Sequence, residues 1–272
     1  MFIRFLITKP KDLGIPVVSI GNLVIGGSGK TPVTIALASK HKKAAVVLRG
    51  YGRQSEGTIV ISKNGEILED VSVSGDEAML LAQSLPKATV IVASDRVEGI
   101  AQAKKLGCEV VFLDDGYSKH FIKKLDIVLE AKEKPYLPLC IPSGPYRELH
   151  WWGKEVFTFK EEIDFKRCVT LLNETPKMLL VTAISKPWRL DPYLPELVGK
   201  KTFIDHYTFK KKELQDLMDE FQATSILMTK KDAVKMEKFG LNLSILELSL
   251  DISDTMSQLI DQYIENYSCK KI

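Results

Sequence analysis

Residues 20–31 read Ile20-Gly21-Asn22-Leu23-Val24-Ile25-Gly26-Gly27-Ser28-Gly29-Lys30-Thr31, and this stretch decides the fold. The short apolar run Pro16-Val17-Val18-Ser19-Ile20 precedes it, and the apolar pattern Val33-Thr34-Ile35-Ala36-Leu37-Ala38 follows it. The order predicts a buried strand, a glycine-rich turn and a helix. Such a turn lets backbone N–H groups approach an anion, and the helix N-terminus adds its positive dipole. In a phosphate-binding loop built this way, Lys30 reaches the β- and γ-phosphates and the Thr31 hydroxyl ligates Mg²⁺. Pro32 suits the first helical turn, where its missing N–H is not needed. Val24 stands where the strict motif spacing has glycine, so Gly26 and Gly27 supply the flexibility. The expected ligands are therefore ATP and Mg²⁺, with residues Val24, Ile25, Gly26, Gly27, Ser28, Gly29, Lys30 and Thr31 around the phosphates.

The rest of the chain is consistent with one large or two modest domains, since 272 residues can bury a real core. Its 45% hydrophobic and 27% charged content is ordinary for a globular protein. A net charge of +3 gives no reason to expect nucleic-acid binding, and the lysine clusters at 40–43, 123–124 and 210–212 read as solvated helix ends. Cys108, Cys140, Cys168 and Cys269 lie far apart without metal spacing, which suits a reduced cytosolic protein. No run approaches the roughly 20 apolar residues of a membrane span. The start, Met1-Phe2-Ile3-Arg4-Phe5-Leu6-Ile7, suits a bilayer surface or an edge of a sheet, and the sequence leaves both open.

Strand patterns at 17–20, 44–48, 89–93 and 109–113 alternate with helical ones at 33–40, 76–85 and 96–106, and Asn64-Gly65 marks a hairpin. The expectation is an α/β fold, a P-loop NTPase-like parallel sheet with helices on both faces and a smaller second α/β domain. Boundaries are expected at 1–149 for the nucleotide domain, 150–177 for a connector and 178–272 for the second domain. Arg49, Asp95-Arg96 and Asp114-Asp115 fall at strand C-terminal ends, where functional loops gather. The strand Val110-Val111-Phe112-Leu113 ending in Asp114-Asp115 suits a Walker B element, in which one carboxylate holds Mg²⁺ and the other shares it or orders its water.

These motifs, with others in matching order, resemble the signature of the tetraacyldisaccharide 4′-kinase (lipid A 4′-kinase) family. Gly21-Asn22-Leu23-x-x-Gly26-Gly27-x-Gly29-Lys30-Thr31-Pro32 carries the resemblance first, followed by Leu48-Arg49-Gly50-Tyr51-Gly52-Arg53 and Gly75-Asp76-Glu77. Asp114-Asp115-Gly116-Tyr117-x-x-His120 and Pro142-x-Gly144-x-x-Arg147-Glu148 come next. Asp205-His206-Tyr207-x-Phe209 and Thr229-Lys230-Lys231-Asp232-Ala233-Val234-Lys235 extend it nearly to the end of the chain. The resemblance implies transfer of the ATP γ-phosphoryl group to the 4′-hydroxyl of an acylated glucosamine disaccharide 1-phosphate. It implies a peripheral enzyme, a monomer, on the cytoplasmic side of the bacterial inner membrane. It also implies that Asp76 and His206, from different domains, act together in catalysis beside Lys30. Read alone, Asp76 could equally be a helix N-cap. Arg49, Arg96 and Arg147 are the candidate guanidinium groups for nucleotide or substrate phosphates. Arg53 and Arg189 read as surface ion pairs, and His120 as a residue shaping its turn. The alternative is a switch or partitioning ATPase acting through a protein partner.

Overall fold

The computed structural model describes residues 9–24, 29–130, 135–150 and 154–269. Strand β1 (Val17–Gly21) leads towards the phosphate loop and helix α1 (Lys30–Ala38), then the chain crosses to β2 (Ala44–Leu48). The hairpin β3 (Thr58–Lys63) and β4 (Glu66–Ile67) follows, closed by Asn64 and Gly65 in left-handed conformation. Helices α2 (Val71–Ser74) and α3 (Asp76–Ser84), strand β5 (Thr89–Ala93), helix α4 (Arg96–Lys105) and strands β6 (Val110–Asp114), β7 (Leu125–Glu130) and β8 (Phe157–Lys160) complete this part. The strands form one eight-stranded sheet in the order β4-β3-β5-β2-β6-β1-β7-β8. Among the described pairings of this sheet, those of β3 with β4 and with β5 are antiparallel and the rest are parallel.

The central strands are buried along their whole length, as a parallel sheet covered on both faces requires. Their side chains sort by parity into two cores. Val18, Ile20, Val46, Val90 and Phe112 pack under α1 and α3, while Val17, Val47, Ile91, Val111 and Leu113 pack under α4. Strand β6 lies between β2 and β1, so the crossover from β1 opens a crevice at the strand C-terminal ends, where ligands settle in such sheets.

A second sheet has the order β11-β10-β12-β13-β9. It comprises β9 (Phe165–Leu172), β10 (Met178–Thr182), β11 (Gly199–Thr202), β12 (Ser225–Thr229) and β13 (Leu243–Ile252), with α5 (Lys211–Glu220) and the short α6 (Lys230–Ala233). All pairings are parallel except β9 with β13. Residues 187–193, which the sequence suggests as part of a helix, form a 3₁₀ helix, since Pro192 lies inside it and cannot donate to an α-helical ladder.

Two features differ from the boundaries expected from sequence. Residues 150–177 are more than a connector, because β8 joins the first sheet and β9 the second. The residues after 178 do not all belong to the second unit either. Helix α7 (Asp254–Cys269) returns to the first core, where Ile252, Met256 and Ile260 meet Val33, Leu37 and Phe112. Strand β7 is also absent from the sequence reading. Lys123-Lys124 and Asp126 mask it there, yet Asp126 is buried between the Lys124 and Lys154 ammoniums at 2.7 and 2.8 Å. The start of the chain, Met1 to Ile7, lies outside the described residues.

Met256 is fully buried against the first core. Met256→Ala is expected to destabilise the protein by about 2–5 kcal/mol through the cavity it leaves. The urea unfolding midpoint of the whole chain reports it, and an unchanged midpoint would detach α7 from this core.

Candidate active site

Parallel pairing of β1 with β6 sets Ile20 beside Asp114 and so brings the strand ending in two carboxylates to the mouth of the phosphate loop. Asp115 N–H then donates to the Ile20 carbonyl at 3.0 Å. Asp115 holds φ at 58°, a left-handed conformation uncommon for a side-chain-bearing residue, and this turns its carboxylate towards the loop. Gly29 caps α1 with φ at 82°, where glycine alone carries no steric cost. Of the expected loop residues, Ile25, Gly26, Gly27 and Ser28 lie outside the described residues. Val24 forms an isolated bridge with Tyr146 instead of facing the cavity.

Lys30 Nζ donates to Asn22 Oδ1 at 2.9 Å and lies 3.5 Å from Asp115 Oδ1. Asn22 is itself fixed by its Nδ2 donating to the Val24 carbonyl at 2.6 Å. Thr31 Oγ1 donates to Asp114 Oδ2 at 2.8 Å, and Arg147 Nη1 meets Asp115 Oδ2 at 3.0 Å. Burial pushes the Asp114 carboxyl up to about 7, with the nearby Glu77 charge adding to the rise. Asp115 stays below the ordinary carboxylate value, because Lys30 and Arg147 outweigh its own burial.

This oxygen set fits a hard divalent cation: a desolvated carboxylate short of positive charge stands beside a hydroxyl and a second carboxylate. Among the described residues no group of three or more His, Cys, Asp or Glu side chains converges on one point. A cation held by Thr31, Asp114 and Asp115 would therefore complete its shell with phosphate and water oxygens.

Asp76 opens α3 directly after Gly75, and Gly75 occupies the capping position, so the carboxylate is not the helix N-cap. It accepts from the Glu77 N–H at 3.0 Å and is buried. His206 crosses from the second sheet, its Nδ1 3.0 and 3.2 Å from the two Asp76 oxygens. Its backbone is also left-handed, with φ at 62°. Lys231 Nζ lies 3.9 Å and Lys235 Nζ 3.8 Å from Asp76 Oδ2, and Lys231 also reaches Glu77 and Asp205. Burial alone would raise the Asp76 carboxyl, but the His206 hydrogen bond and the Lys231 and Lys235 charges overcome it and hold it below the usual value. The same hydrogen bond to Asp76 raises His206 above its ordinary value despite partial burial. Asp232, fully buried, ties the ends of β10 and β12 together through Thr182, the Ala183 N–H and Thr229, and so fixes the turn that carries both lysines.

Lys30, Thr31, Asp114, Asp115, Arg147 and His206 line one cavity of about 1370 Å³ between the two sheets. Arg49 and Arg96 face it as well, Arg49 exposed and Arg96 buried with Nη1 donating to the Ala93 carbonyl. Arg53, expected in a surface ion pair, is half-buried and donates to the Gly57 carbonyl at 2.6 Å. Arg189 does form an ion pair, with Glu161 at 3.1 Å, on the cavity wall. His120 sits in a buried network with Glu148 and Lys154, which fixes the turn after Asp115 to the segment carrying Arg147. Sequence reasoning assigned no role to Asn22, Lys231, Lys235 or Arg167. The Thr229–Lys235 motif was the available signal for the two lysines.

Residues 2–159 and 158–265 match the family model described as tetraacyldisaccharide-1-P 4′-kinase. A tetraacyldisaccharide 4′-kinase from Aliarcobacter butzleri is 47% identical over 268 residues, covering 95% of this chain and 85% of that protein. The same-named protein of Helicobacter pylori (strain J99) is 45% identical, covering 96% and 84%. The crystal structure of an "apo" form of LpxK from Aquifex aeolicus in complex with ATP is similar at a TM-score of 0.73 and 27% identity, over 94% of this chain and 90% of that one.

An imidazolium with a raised pKa contributes stability that is complete below the ordinary histidine value of 6.5 and lost as pH rises through its higher folded value. His206→Asn is therefore expected to cost about 1–2 kcal/mol near pH 6, and clearly less near pH 9. Urea midpoints at the two pH values check this, and a cost independent of pH would contradict the pairing.

Proposed function

Because the chain belongs to the tetraacyldisaccharide 4′-kinase family, we propose that it transfers the γ-phosphoryl group of ATP to the 4′-hydroxyl of an acylated glucosamine disaccharide 1-phosphate, a lipid A precursor. The observation that carries this reading is the Asp76–His206 pair, joined across the two sheets at the edge of a cavity that begins at Lys30 and Thr31. A switch ATPase needs the phosphate loop and Asp114, but has no evident use for a buried carboxylate and imidazole brought together from separate sheets.

In this mechanism the described end of the loop, Gly29 to Thr31, receives the nucleotide phosphates at the N-terminus of α1. Lys30 moves from its contacts with Asn22 and Asp115 onto the terminal phosphates. Thr31, Asp114 and Asp115 would hold Mg²⁺, which would neutralise charge on the phosphate chain. Asp76 orients the acceptor hydroxyl and takes its proton as the new P–O bond forms and the bond to the ADP oxygen breaks. Its low proton affinity suits a loose transition state, in which the proton leaves late. His206 orients that carboxylate, and Lys231 and Lys235 keep it ionised. Arg49, Arg96 and Arg147 supply guanidinium groups for the phosphates of nucleotide and acceptor.

The acceptor's acyl chains imply work at a membrane surface, on the cytoplasmic side where ATP is available. No helix among the described residues is long and apolar enough to cross a membrane, and the contact proposed is a peripheral one. The segment carrying Arg147 supports that contact, because Tyr136, Leu137, Leu139, Ile141 and Leu149 expose apolar side chains along it. All the residues invoked come from one chain, so a monomer suffices.

Transfer of ³²P from ATP to detergent-dispersed acceptor lipid tests the reading. Asp76→Ala is expected to lower kcat by about 10²–10⁴-fold, and Lys30→Ala to abolish turnover at ordinary ATP concentrations. Near-normal transfer by Asp76→Ala would remove the base. ATP hydrolysis indifferent to the lipid would favour the switch.

A further inference from the structure

Strand β9 alternates inward and outward, and its inward positions hold Phe165, Val169 and Leu171 with Arg167 among them. A guanidinium at an inward position of an otherwise apolar strand face breaks the local pattern, and such breaks gather at functional sites. The Arg167 side chain runs from the second sheet to the phosphate loop of the first. A Cβ placed on Gly29 would stand 3.1 Å from Arg167 Nη2 and 4.0 Å from its Cζ. Arg167 also lines the same cavity as Lys30, Thr31 and Asp115.

The charge arrangement around this guanidinium is incomplete. Glu161 accepts from Arg167 Nε and, at 3.4 Å, from Nη2, and it accepts again from Arg189 at 3.1 Å. Two arginines thus share one carboxylate. Arg167 Nη1 meets no hydrogen-bond acceptor among the described residues. Gly29 caps α1, whose first turn contains no acidic side chain, so the guanidinium faces the positive end of a helix dipole. Cations are unfavourable there, and an anion placed between Gly29, Lys30 and Arg167 would reverse the sign of the interaction.

We propose that Arg167 is a further nucleotide-binding residue, delivered by the second sheet to the terminal phosphates of ATP and aimed by Glu161. The assignment rests on the nucleotide site in the reading above but not on the identity of the acceptor. It makes the second sheet a sensor of the γ-phosphate. In chemistry it parallels the arginines that stabilise transferring phosphoryl groups elsewhere, which contribute about 10³–10⁵ in rate.

The test compares calorimetric affinities of Mg²⁺ with ADP and with a non-hydrolysable ATP analogue, for the unmodified chain and for Arg167→Gln. The expected result is a loss of at least about 10-fold in affinity for the triphosphate, with ADP binding changed less than about twofold. Arg167→Lys keeps the charge without the planar fork and is expected to fall between the two, so it serves if the Gln variant does not fold. Two results would overturn the proposal: unchanged affinity for both nucleotides, or equal loss for both with a lowered Tm, which marks a merely structural arginine. An unmodified chain that binds the triphosphate yet leaves the lipid unlabelled would sink the kinase reading while these nucleotide affinities still decide Arg167.

Discussion

The pairing of Val17–Ile20 with Val111–Asp114 is the constraint on which the site depends. It puts a carboxylate in a nearly dry position at the edge of the phosphate loop, where Thr31 and Thr34 are the hydroxyls that can answer it. A carboxyl pushed up to about 7 by burial is costly in an empty site and valuable in a filled one, since any divalent cation nearby restores its charge. The neighbouring carboxylate is managed in the opposite way, with Lys30 and Arg147 in contact. Two adjacent aspartates therefore differ in proton affinity, and the difference comes from environment alone.

A second electrostatic unit spans the gap between the sheets. Asp76 is anchored on α3, while His206, Lys231 and Lys235 all come from the other side. On their own side Lys235 meets Asp232 at 3.3 Å and Lys231 meets Asp205 at 3.5 Å, and Asp76 adds a shared partner from across the gap. Their attraction therefore favours an arrangement in which the cavity is walled by both sheets. Asp232 does not line the cavity, but it decides where the two lysines point by binding the ends of β10 and β12.

Most of the first sheet was legible because strands such as β2, from Ala44 to Leu48, are unbroken apolar runs between helical stretches. Two of the strands that escaped reading, β7 and β9, carry a charge at an inward-facing position. Asp126 disguises β7, and Arg167 interrupts the apolar alternation of β9. Both charges find partners only in three dimensions, Lys124 and Lys154 for one and Glu161 for the other. The candidate site was readable where its chemistry is local, as in Gly29-Lys30-Thr31 or Asp114-Asp115. It was not readable where contact depends on how two sheets face each other, as for Lys231 against Asp76. Helix α7 was visible as a helix, but no pattern within residues 254–269 says which core receives it.

The return of α7 to the first core has a consequence for how the protein is made. Val33, Leu37 and Phe112 wait for Met256 and Ile260, which are synthesised after everything they cover. The second sheet has all its strands by residue 252 and can assemble while the first still exposes an apolar face. The first core is thus the last part of the molecule to be completed. A chain stalled before residue 254 would carry an unfinished core for chaperones and proteases to recognise.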